Sequence, residues 1–100
     1  MPENSERDRH AIAQFLGEVR ARIWTWDPIG LAEMGAPEDE YDCLVGPVTG
    51  ALREHLSADV MADRLRLHVI DHFAVEPSGT EAFSDGIVAW YHESAGSILG

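Results

Sequence analysis

SADVMADRLRLHVIDHFA, residues 57–74, admits two readings, and the choice between them decides the fold class. Leu65-Arg66-Leu67-His68-Val69 alternates apolar and polar residues, as a half-buried strand would. Over the whole stretch, however, Val60, Met61, Leu65, Val69 and Phe73 supply a broad apolar face at helical spacing. Ser57 stands where an N-cap belongs, and the stretch is too long for an ordinary strand. Helix is therefore the reading.

The same signals repeat on both sides. Downstream, Glu76-Pro77-Ser78-Gly79 reads as a loop, and a segment from about Thr80 to Ser94 places Phe83, Ile87, Trp90 and Tyr91 on one face. Ala95 to Gly100 is a small-residue tail, expected to fray. Upstream, Tyr41, Leu44, Val45, Val48, Leu52 and Leu56 keep one helical phase from Pro37 to about Leu56. Gly46-Pro47 interrupts that phase, which predicts one kinked helix, and His55 falls inside it as a core histidine. A first segment runs from Ser5, the expected N-cap, to Trp26, with Ile12, Phe15, Leu16, Val19, Ile23 and Trp26 on its stripe and Trp24 off it, near Arg20. Four amphipathic segments with short links predict an all-α protein, a single compact bundle of about four helices.

Between the first two segments, Asp27-Pro28-Ile29-Gly30 ends a helix, because the residue before proline is pushed out of the α region. It fits a β-turn with Asp27 as side-chain acceptor, Pro28 second and Gly30 fourth; a single helical turn capped by Asp27 fits as well.

Composition narrows the function classes. The chain has 100 residues, 45% of them apolar, enough for one cored domain without disulfides. Eighteen acids face seven bases, all arginine, for a net charge of −11. That field repels nucleic acid and anionic lipid and favours basic partners. One cysteine, Cys43, excludes an internal disulfide and fits a reducing cytoplasm. The charged N-terminus lacks the apolar core of a signal peptide, and no window is long and apolar enough to span a membrane. The expectation is a soluble cytoplasmic protein.

Few residues point to chemistry. There is no Gly-rich phosphate loop and no nucleophile elbow. Cys43 and His55 lie on opposite sides of their helix, so no Cys-His dyad is read. His68 and His72 stand four apart on one helix face, the spacing of two zinc ligands, yet Ile70 occupies the place of a general base. A metal-binding protein or small hydrolase using His68 and His72 would need a carboxylate as further ligand, Asp42 or Glu76. Two histidines closing a helix interface is the plainer reading, so no cofactor is assigned. The acids Glu38, Asp39 and Glu40 suit a helix's first turn, where the dipole favours them, whereas Asp42 lies deeper than capping requires.

Trp26 to Gly30 (WDPIG) followed by Asp39 to Asp42 (DEYD) resembles a pattern found in a group of small bacterial helical proteins, over roughly residues 24 to 72. The group has no established activity, and some members look immunity-like; Trp90-Tyr91 lies outside the pattern. The residues themselves lean the same way, since aromatics rimmed by charge are typical of binding hot spots. The candidate binding residues are Trp24, Trp26, Asp27, Asp39, Glu40, Tyr41 and Asp42, for a basic protein partner. Homodimerisation through leftover apolar stripes is the structural alternative.

Overall fold

The computed structural model describes residues 2–95, with side chains described for residues 8–93. The chain forms helix α1 (Pro2–Trp26), a 3-10 helix (Glu38–Leu44), α2 (Val45–Arg53), α3 (Ala58–Phe73), α4 (Thr80–Trp90) and a π-helical turn (Tyr91–Ala95). No strand occurs among the described residues, and the stretch from 57 to 74 resolves as helix α3 with its two caps. Ser57 Oγ accepts from Val60 N–H at 3.3 Å, which is the predicted cap.

The protein is a small all-α bundle. α3 lies chiefly along α4, while α1 packs on α2, the 3-10 helix and α4. Val19, Leu44, Val48, Met61 and Val69 are completely buried, one or more from each of four elements, with Leu65 and Ile87 beside them. Each such side chain contributes about 1.5–3 kcal/mol on burial, and Leu65→Ala would cost about 2–5 kcal/mol. Phe15 stacks on Trp90 at 5.8 Å and meets Tyr91 edge-on, so the end of α4 is anchored on α1.

Three expectations need correction. α1 begins at Pro2, a residue whose missing N–H suits a first turn, so Ser5 lies within the helix; its side chain is outside the described residues. Residues 38–53 are helical throughout, but as two kinds of helix. Pro47 cannot donate to the Cys43 carbonyl as a continuous α-helix would require. The chain instead winds as a 3-10 helix to Leu44, and Pro47 falls in the first turn of α2, where its N–H is not needed.

His55 is exposed rather than buried, because α2 stops before it. With φ at 57°, it takes the left-handed position that ends the helix; its N–H reaches Leu52 O and that of Leu56 reaches Ala51 O, both at 3.1 Å. That pair of bonds is a Schellman motif built without glycine. Asp27 and Ala74 end α1 and α3 in the same left-handed region, each donating its N–H four residues back, to Ile23 and Ile70. Of the tail read as frayed, residues 96–100 lie outside the described residues.

Candidate functional site

The joint between α1 and the 3-10 helix is built around Asp27. Its carbonyl accepts from Gly30 N–H at 3.2 Å, closing the β-turn, with Gly30 at φ 79°. Its carboxylate accepts from the N–H groups of Ala32 (2.9 Å) and Glu33 (3.1 Å) and from the Tyr41 hydroxyl at 2.6 Å. Tyr41 in turn accepts from the N–H groups of Ile29 and Leu31. The Asp27 carboxylate and the Tyr41 hydroxyl thus close the turn with five hydrogen bonds.

This arrangement shifts both pKa values. Partial burial works to raise that of Asp27, but the hydrogen bonds from Tyr41, Ala32 and Glu33 outweigh it and hold the carboxyl below its ordinary value. Burial, together with the hydrogen bond to Asp27, pushes the Tyr41 hydroxyl up.

Trp26 pins the joint to the far loop. Its indole stacks on Phe83 at 4.3 Å, and its N–H donates to Ser78 O at 2.7 Å. Ser78 N–H donates to Pro28 O at 2.9 Å, and Gly79 sits so close that an added Cβ would meet the indole at 3.6 Å. Four of the candidate binding residues thus have internal partners. Trp26, Asp27 and the buried Tyr41 build the joint; Asp42 makes a two-pronged contact with Arg20, at 3.0 and 3.2 Å.

Trp24, Asp39 and Glu40 are differently placed. Trp24 is half-buried, edge-on to Tyr41 at 5.8 Å, and borders a shallow groove of about 330 Å³ with Gly17, Arg20, Ala21, Thr25 and Glu38. No α4 residue lines that groove, so Trp90 and Tyr91 leave it open. Glu38, Asp39 and Glu40 are exposed and belong to none of the ion pairs among the described residues. Arg20 as Asp42's partner and Ser78 as Trp26's acceptor carried no signal in the sequence, lying 22 and 52 residues away.

His68 is half-buried and His72 exposed on α3, their rings parallel at 5.7 Å. Neither carboxylate considered beside them is free. Asp42 is held by Arg20, and Glu76 makes a two-pronged ion pair with Arg66. Burial and the charges of Asp42 and Glu40 push the half-buried Cys43 thiol up. No described helix is long and apolar enough to cross a membrane.

Compared with known proteins, the chain has no significant match to any family model, curated protein or solved structure.

Proposed function

We propose that the protein is a small acidic recognition module of the cytoplasm, binding a basic protein through Trp24 and the start of the 3-10 helix. The observation that carries this reading is the acidity of the segment that borders the open groove. Residues 23–52 contain six acids and no base; Glu38 lines the groove with Trp24, and Glu38, Asp39 and Glu40, consecutive on the 3-10 helix, are exposed and in none of the ion pairs among the described residues. Exposed like charges of this kind raise the encounter rate with a cation-rich surface. A half-buried aromatic held against Tyr41 supplies a rigid anchor at low entropic cost. The WDPIG and DEYD pattern resembles that of a group of small bacterial helical proteins, some of which look immunity-like, so the blocking of a toxin is one specific form of this reading.

The test is affinity capture from the source organism's lysate at low salt, followed by titration of the purified partner. Three baits are compared: the native protein, Asp39→Asn with Glu40→Gln, and Trp24→Ala. Asp42 is left intact because changing it would release Arg20 onto the face. A basic protein held by the native bait, lost by both variants and released by salt supports the reading. Equal recovery by all three baits overturns it.

A second reading rests on α3. Val60 and Leu67, seven residues apart and so on one side of the helix, are 41% and 61% exposed. Such a ridge suits a homodimer contact, and light scattering that gives a monomer at all concentrations removes it.

A further inference from the structure

Cys43, His68 and His72 come from distant parts of the chain, yet their ligand atoms all lie within 4.8 Å of one another. They are the only such group among the described residues. We propose that they form a binding site for a borderline-soft divalent transition-metal ion, of which Zn²⁺ is the type, with a fourth position left to an exogenous ligand.

The geometry is close to what such an ion needs. Zn–S and Zn–N bonds at a tetrahedral centre place neighbouring donor atoms about 3.4–3.6 Å apart. The observed spread is therefore about an ångström too wide, within reach of small side-chain rotations at exposed His72. His68 and His72 are fixed to one face of α3 by their spacing of four, and their rings are parallel within 8°. Cys43 is carried by the 3-10 helix between buried Tyr41 and Leu44. Tyr41 meets Phe73 edge-on at 6.0 Å, and Phe73 adjoins His72, so one packed unit holds both halves of the site.

A second observation points to a ligand. His68 Nε2 is buried and has no hydrogen-bond partner. Buried polar atoms are almost always satisfied, so a bare imidazole nitrogen on a histidine grouped with a thiol and a second imidazole is unusual. A metal ion would engage that lone pair. Thiolate and imidazole donors select Zn²⁺, Co²⁺ and similar ions over Mg²⁺ and Ca²⁺, which require oxygen. Glu40 and Asp42 precede Cys43 on the same 3-10 helix and lie outside the donor group. The site is independent of the recognition face, and the two proposals stand or fall separately.

His55 and His92 provide an internal control. They also stack, at 6.1 Å, but both are exposed and no thiol joins them.

The experiment uses protein prepared without a histidine tag, stripped with a chelator and titrated with Co²⁺. One equivalent should bind, with a thiolate-to-cobalt charge-transfer band and tetrahedral d–d absorption, both removed by Zn²⁺. Cys43→Ser should abolish the charge-transfer band. His68→Ala and His72→Ala should each weaken binding by at least about tenfold, while His55→Ala leaves it unchanged. Absence of stoichiometric binding overturns the proposal, as does binding that survives Cys43→Ser and His68→Ala intact. Native protein gives a further measurement that no folding defect can confound. One equivalent of Zn²⁺ should slow alkylation of Cys43 by iodoacetamide at least about tenfold. Equal rates with and without the ion overturn the site.

Discussion

The Tyr41 hydroxyl donates to Asp27 Oδ1 at 2.6 Å and at the same time accepts from two backbone N–H groups of the turn that Asp27 begins. One phenolic oxygen thus closes the joint from the side of the 3-10 helix. Tyr41→Phe keeps the ring in the core but strands the N–H groups of Ile29 and Leu31 and one bond to the carboxylate. The expected loss is about 1–3 kcal/mol, read as a lower urea midpoint by tryptophan fluorescence. A midpoint within error of the native protein would show that water replaces the hydroxyl without penalty.

The same pair makes stability depend on pH in both the acid and the alkaline range. Asp27 has a folded pKa below its ordinary value of about 3.9, so it holds its proton more weakly folded than unfolded. Its contribution is complete above that value and disappears as pH falls through the folded pKa. Tyr41 behaves in the opposite sense. Its pKa is raised above about 10, so its contribution is complete below that value and is lost as pH rises through the folded pKa. The stability gap between native protein and Asp27→Asn should therefore be constant near neutrality and shrink below about pH 4. Urea midpoints from pH 3 to 7 measure it, and a gap that does not narrow counts against this account.

Ala74 ends α3 at φ 57° and ψ 28°, a conformation an L-residue adopts only against its Cβ. Ala74→Gly should stabilise the protein by about 0.5–1 kcal/mol, because relief of that strain exceeds the added entropy of the unfolded chain. A rise of a few degrees in thermal midpoint is the readout. Destabilisation would mean that the alanine methyl makes a packing contribution larger than the strain.

Trp24 and Trp26 are two residues apart and should respond differently to truncation. Trp26→Ala removes the stack on Phe83 and the bond to Ser78, unfastening the loop before α4, at about 3–5 kcal/mol. Trp24→Ala exposes one edge of Tyr41 and should cost about half as much. Chemical denaturation of the two variants ranks them, and equal losses would make Trp24 as structural as its neighbour.

Much of this was legible in the sequence because the signals were local. Ser57 as cap, the Asp27-to-Gly30 turn and the helical phase of residues 57–74 each rest on neighbours within one or two turns. Two local signals misled. The unbroken apolar phase across Pro47 hid a change of helix type, since the three-residue spacing of Tyr41 and Leu44 keeps them on one face in either winding. Leu56 kept the phase beyond the end of α2, which made His55 look interior when the Schellman motif turns it out. The approach of Cys43 to His68 and His72, like that of Arg20 to Asp42, depends on how helices pack. Spacing along the chain does not encode it.

Among the described residues, Arg20 is the one base paired with an acid of residues 23–52, and it occupies Asp42 there with both partners about half exposed. An exposed pair of this kind contributes no more than about 1 kcal/mol, so Arg20→Gln should leave the fold nearly as stable as the native protein. It should also free Asp42 and add one uncompensated negative charge beside Glu40 and Trp24. Association with a lysine-rich peptide should then be faster than for native protein, and the difference should shrink as salt shortens the Debye length to about 8 Å at physiological ionic strength. Stopped-flow mixing across salt concentrations measures both effects. A faster rate that persists at high salt would point to contacts by the new glutamine. No change at low salt would mean that Asp42 lies outside the surface that meets the partner.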